Sequence, residues 1–207
     1  MKLLYNLITS AKLITRIITH KFWVAYYCFQ VGLYWQGIIH DLSKFSWTEF
    51  SRSIKYWDDK ISPLSNERNI NGYSETFLHH RGRNPHHYEY WIHSLDEGGI
   101  PAEIPLRYVK ELVCDYLAAC RTYGGNPRNE IDWWMKVSPS IKMHEKTKFY
   151  IYRVFDYFHS KPQSNLYKAV SYADLANEIG LRNAGYSEFI KFIQYYNERN
   201  NSSHRRI

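Results

Sequence analysis

Apolar residues recur at three-to-four spacing from the start of the chain: Leu4, Leu7, Ile8, Ala11, Ile14, Ile17, Ile18 and Val24, with lysine and arginine between them. That is the period of a helix with one face turned to a core, and it predicts a helix over residues 3–30. His20 falls inside the pattern, four residues before Val24. An imidazole there is either a core group bonded to a carbonyl or a ligand facing other chemistry. The helix alone does not choose between them.

Further along, Gly32 and Gly37 bracket a turn, after which Ile38 and Ile39 carry His40-Asp41 back toward the core at a helix start. Ser46-Trp47-Thr48-Glu49 reads as a capping box that opens a helix through about Trp57. From Asp58 to Tyr73 the chain holds Pro63, Gly72 and several Asn and Ser, and the expectation is a mobile loop of the length often used as a lid. A helix is expected to end in Phe77-Leu78-His79-His80. Asn84 then caps another with Pro85 in its first turn, which sets His86 and His87 at a helix N-terminus.

Gly98-Gly99-Ile100-Pro101 closes that unit, and Pro105 starts a helix through Tyr123 that Gly124-Gly125 stops. On it Leu112, Asp115 and Ala119 share a face, so a carboxylate is turned toward packed surface, where it is costly unless paired or ligated. Residues 129–137 and 146–159 continue the helical pattern, Pro162 and Ser164 mark a break, and residues 171–199 read as two short helices. No strand series and no repeat stands out. The fold class expected is therefore all-α: a helical domain over residues 1–160 and a small helical C-terminal extension over 161–207, ending in a frayed basic tail.

Composition and charge narrow this picture further. With 44% hydrophobic residues in 207, the chain has the apolar material for one buried domain plus an appendage, which excludes a disordered class. Cys28, Cys114 and Cys120 lie in helical patterns without the even spacing of a secreted disulfide framework, pointing to a reducing, cytoplasmic home. Nowhere do 18 uncharged apolar residues follow one another, so no membrane span is predicted. Lys12 and Arg16 break the N-terminal run without a cleavage site, which argues against a signal peptide and leaves an interfacial amphipathic helix over residues 2–19 as a second reading. A net charge of +7 suits phosphate-bearing partners, nucleotide or nucleic acid, without requiring either.

The chemistry concentrates in Gly37-Ile38-Ile39-His40-Asp41-Leu42-Ser43-Lys44-Phe45 and in the four imidazoles His79, His80, His86 and His87. Neutral imidazole and carboxylate together are ligands for Mn, Fe, Zn, Co or Ni, and a carboxylate with two oxygens can bridge two ions. One ion would draw on His20, His40, Asp41 and Asp115; a second would share Asp41 and use His80, His86 and His87. Two such ions a few ångströms apart can clamp a phosphoryl group and acidify a water. Lys44, one turn beyond His40-Asp41, would neutralise a phosphate oxygen; Arg81 and Arg83 are either further substrate contacts or solvated loop cations. Trp47, Tyr73, Tyr88, Tyr90 and Trp91 offer a stacking wall for a base, or simply core.

The order His20, His40-Asp41, Asp115 resembles the H…HD…D signature of the HD-domain superfamily of helical, metal-dependent phosphohydrolases. His40-Asp41-Leu42-Ser43-Lys44 is similar to the HD-x-G-K form of the HD-GYP phosphodiesterases, with Ser43 at the glycine position and no glycine-tyrosine-proline element. More closely, HDLSKF and RNPHHYEYW resemble an uncharacterised HD-like family of phage and bacterial genomes, over about residues 10–160. The resemblance implies an HD-like helical bundle with His20, His40, Asp41 and Asp115 as metal ligands, His80, His86 and His87 as candidates for a second ion, and Lys44 as a phosphate contact. The function so implied is hydrolysis of a nucleotide or small phosphate ester by a metal-activated water, with Asp41 and Lys44 as the catalytic pair. A di-iron oxygenase on the same scaffold, and a non-catalytic nucleic-acid or partner-binding protein, are the alternatives.

Overall fold

A computed structural model describes residues 2–160 of the chain. The expected C-terminal extension and the helices read over 171–199 lie outside the described residues. Within them the architecture is all-α. Helix α1 runs Lys2–Gln30, α2 Tyr34–Ile39, α3 Trp47–Lys55, α4 Pro63–Asn71 and α5 Glu75–Arg81. They are followed by α6 at Leu106–Thr122, α7 at Glu130–Val137 and α8 at Glu145–Ser160. The described strands are two residues each, β1 (Ile92–His93) and β2 (Ile100–Pro101), paired antiparallel across the turn at Gly98-Gly99.

The core lies where α1, α6 and α8 meet. Val24 and Cys28 of α1, with Val31 just past its end, join Val113, Leu117 and Ala118 of α6 and Ile151, Val154 and Phe155 of α8 in one buried cluster. Burial along α1 follows Thr9, Leu13, Ile17, His20, Val24 and Cys28, a stripe at helical spacing. His20 therefore points at α6. Leu4, Leu7, Ile8, Ile14 and Ile18 belong to the same apolar pattern yet lie exposed on the other side, because α1 is apolar on more than the face that α6 covers.

Three expectations are corrected. Gly37 does not end a turn but lies inside α2, where it presses on α1: a Cβ there would come within 2.9 Å of the Cys28 Cβ. Asp58–Tyr73 is not a lid-like loop. Ser62 caps α4 by accepting a hydrogen bond from the Ser65 N–H, Pro63 opens its first turn, and Gly72 closes it at φ 81°, the stop and start chemistry of a helix in a stretch whose Asn and Ser content masks it. Asn84 caps no following helix. Its side-chain amide donates to the His80 carbonyl at the end of α5, so His86 and His87 sit in a turn ahead of the 3-10 segment Tyr88–Trp91.

The expected cap at Ser46 is present in half. Its hydroxyl accepts from the Glu49 N–H to start α3, but the Glu49 carboxylate turns inward.

Candidate metal centre

Five elements deliver side chains to one point. His20 comes from the buried stripe of α1, and Asp115 from the middle of α6. His40 is the last residue of α2's capping turn; Asp41 follows in the left-handed conformation, φ 54°, and leads into a 3-10 turn at Leu42–Phe45 that carries Lys44. His80 stands near the end of α5, and His86 and His87 in the turn after it. All these groups are buried or nearly so.

Asp41 lies at the middle. Its Oδ2 is 3.2 Å from His40 Nε2 and 3.9 Å from His20 Nε2, while Oδ1 is 3.3 Å from His80 Nε2 and 3.5 Å from His86 Nε2. Asp115 Oδ1 faces the first side, 2.9 Å from His20 Nε2 and 3.5 Å from His40 Nε2. Two four-residue groups result, each with ligand atoms within 4.8 Å of one another: His20, His40, Asp41 and Asp115, and Asp41, His80, His86 and His87. They share Asp41, one oxygen toward each.

These approaches are lateral. His20 Nε2, His40 Nε2, His86 Nε2, His87 Nε2 and Asp41 Oδ1 are buried yet make no aligned hydrogen bond. A buried polar atom without a partner costs on the order of 1–3 kcal/mol, and five of them in one place call for a common partner. Lone pairs converging on a point, rather than on each other, fit a cation. The residues could hold one divalent ion or two.

Behind these atoms stand carboxylates that the sequence reading missed. Glu111 Oε1 lies 3.0 Å from His40 Nδ1 and 3.4 Å from His86 Nδ1, and the Glu49 carboxylate bonds His80 Nδ1 at 2.9 Å and His79 Nδ1 at 2.8 Å. A carboxylate on Nδ1 keeps the proton there and frees Nε2 as a ligand atom, the arrangement that orients histidines around metal ions. Glu111 had a signal, since it lies one turn before Asp115 on α6. Glu49 was hidden by its place in the capping box. His79 faces Glu49 and not the cluster.

The electrostatics suit a cation. Burial alone would push the Asp41 carboxyl up, but His40, Lys44 and His80 hold it well below the usual range. Asp115 is likewise held low, against burial, by His20 and His40. Burial lowers His20, with Lys44 adding to it. His80 is raised to about 9, because Asp41 and Glu49 outweigh its burial. The carboxylates are thus anions at neutral pH.

A cavity of about 190 Å³ opens beside the cluster. His20, Asp41, His80, His87 and Asp115 form its floor along with Lys44, whose Nζ is 2.5 Å from Asp41 Oδ2. Arg16 lines its wall. Arg81 and Arg83 do not line this cavity; Arg83 is exposed, so the cations beside the floor come from α1 and the Asp41 turn. Trp47, Tyr73 and Tyr90 are exposed and Tyr88 and Trp91 pack on the core, so no aromatic wall forms there.

Among the described residues no helix is long and apolar enough to cross a membrane. Comparison with curated proteins and with solved structures gave no match. A family model matches residues 9–157, from α1 to the last turn of α8, and so takes in every residue of the cluster: the chain belongs to the family of unknown function DUF5662.

Proposed function

We propose that the protein is a metal-dependent phosphohydrolase of the HD type, acting on a nucleotide or small phosphate ester. The observation that carries this is the division of Asp41: one carboxylate oxygen faces His20 and His40, the other His80 and His86. His20, His40, Asp41 and Asp115 would hold one Mn, Fe, Zn, Co or Ni ion, and Asp41 with His80, His86 and His87 would hold a second. When bound, such ions supply a water acidified toward neutral pH and a Lewis-acid clamp for phosphoryl oxygens.

The chain's own residues divide the remaining work. Glu111 and Glu49 fix the tautomers of His40, His86 and His80 through Nδ1. Asp41 and Asp115 orient the attacking water. Lys44 sits on the cavity floor, where its ammonium neutralises charge gathering on the phosphoryl oxygens as the bond to the leaving group breaks. Burial beneath α1 and α6 keeps the floor largely dry, which strengthens each of these contacts.

The test is turnover of a panel of phosphomonoesters, phosphodiesters and nucleotides by the full chain loaded with each of the five metals. Hydrolysis that disappears in Asp41→Ala, with helicity retained, is the expected result. Equal turnover in the variant, or none from a chain that binds metal, overturns the reading. Oxygen consumption by a coloured, iron-loaded chain would instead identify an oxygenase on the same ligand set.

A further inference from the structure

The cavity beside the cluster is small and mostly apolar above its floor. Leu13 and Ile17 of α1, Pro63 and Leu64 at the start of α4, and Ala119 of α6 wall it. Three of the polar groups higher up are committed elsewhere. The Arg16 guanidinium donates to the carbonyls of Asp58, Asp59 and Ile61 and lies 4.0 Å over the Trp57 ring. The Ser62 hydroxyl caps α4, and the Thr122 hydroxyl donates to the Ala118 carbonyl. Ser53 and Tyr123 also line the cavity, the Tyr123 hydroxyl facing Arg16 and Ser62, so the charged groups that can recognise a ligand are concentrated at the floor.

Size points the same way. An apolar cavity of about 150 Å³ admits a benzene, so about 190 Å³ admits a single ring with one small group attached. Pockets for larger organic ligands start near about 300 Å³. A nucleoside entering this space would bury base and ribose polar groups against leucine, isoleucine and proline, each unpaired group opposing binding.

We propose that this cavity takes a phosphoryl or phosphonyl group bearing one small apolar substituent, of about one ring or a short alkyl chain, and turns away nucleotides. The phosphoryl half rests on the function proposed above; the apolar half rests on the walls alone. Ala119 and Leu64 set the size limit, Ala119 because it lies one turn beyond Asp115 on α6, and Leu64 because it lines the same cavity from the start of α4.

The test is titration calorimetry of the full chain, with and without Mn²⁺, against methylphosphonate, phenylphosphonate, naphthylphosphonate and AMP. Phenylphosphonate is expected to bind at least tenfold tighter than methylphosphonate and than AMP. Ala119→Leu is expected to bring the phenyl-to-methyl ratio near one. Leu64→Ala, which removes side chain and cannot overpack, is expected to raise naphthyl affinity relative to phenyl at least fivefold. A wild-type ratio near one, AMP binding as tight as phenylphosphonate, or ratios unmoved in both variants would overturn the proposal. Phenyl phosphate that binds with this preference but is not hydrolysed would sink the hydrolase reading and leave the cavity assignment standing.

Discussion

Asp41 is one of two described non-glycine residues with positive φ, the other being Ser94. Aspartate tolerates the left-handed region better than most side chains, and here it reverses the chain between α2 and the following 3-10 turn, so that His40 and Asp41, adjacent in sequence, address one point. Backbone and ligand roles can be separated. In metal-free protein, Asp41→Gly is expected to be more stable than Asp41→Ala by about 1 kcal/mol, read from urea midpoints, since only glycine accepts this φ freely; both variants should lose metal by elemental analysis. Glu111 touches the cluster only through Nδ1 of His40 and His86. Glu111→Gln is therefore expected to weaken metal binding about 10–100-fold in a chelator competition, with the fold intact. An affinity equal to wild type would remove Glu111 from the site.

At the scale of elements, the position of His40 depends on how closely α2 approaches α1. Gly37 permits that approach, with Cys28 Cβ, Ala25 Cα and a Phe29 ring carbon within 2.9–3.2 Å of where its Cβ would be. Gly37→Ala is expected to cost about 1–3 kcal/mol in chemical unfolding through overpacking. A second junction ties α3, α4 and α5 together through Glu67. Its carboxylate accepts from Arg52 at 2.6 Å, from the Ser74 hydroxyl at 2.6 Å and from the Thr76 N–H at 3.1 Å. Burial pushes this carboxyl up, but Ser74, Thr76 and Arg52 outweigh it and hold it below 4.5. The unfolded chain then binds the extra proton, so the contribution of Glu67 is present above about pH 4.5 and lost as pH falls through the lower folded value. Glu67→Gln is expected to cost about 1–2 kcal/mol at pH 7, Arg52 keeping its pairing to Glu75, and to flatten the acid side of the stability curve relative to wild type. Parallel curves would show that the junction carries no such linkage.

For the whole molecule, five elements separated by up to 95 residues, His20 to Asp115, bring carboxylate and imidazole ligand atoms to one point. A cation bound only by the folded chain stabilises it by about 2.7 kcal/mol at a free concentration 100 times Kd. At about 2–4 °C per kcal/mol for a chain of this size, the melting temperature is expected to rise about 5–11 °C with saturating metal and to fall back with chelator. His40→Ala should abolish the shift; a shift that persists places the ion elsewhere. The helices at 3–30, 105–123 and 146–159 were legible because periodicity, glycine stops and proline starts act within a few residues. His20, His40, Asp41 and Asp115 stood out by residue type for the same reason, as chemistry out of place in apolar patterns. What the chain alone could not show depends on distant partners: which face of α1 is covered, since both are apolar; that Glu49 leaves its cap for His79 and His80; that Arg81 and Arg83 stand away from the cavity. Local pattern determined the helices and named the reactive groups, whereas packing between helices decided which groups meet and how much space is left beside them, because those depend on contacts that no sequence period encodes.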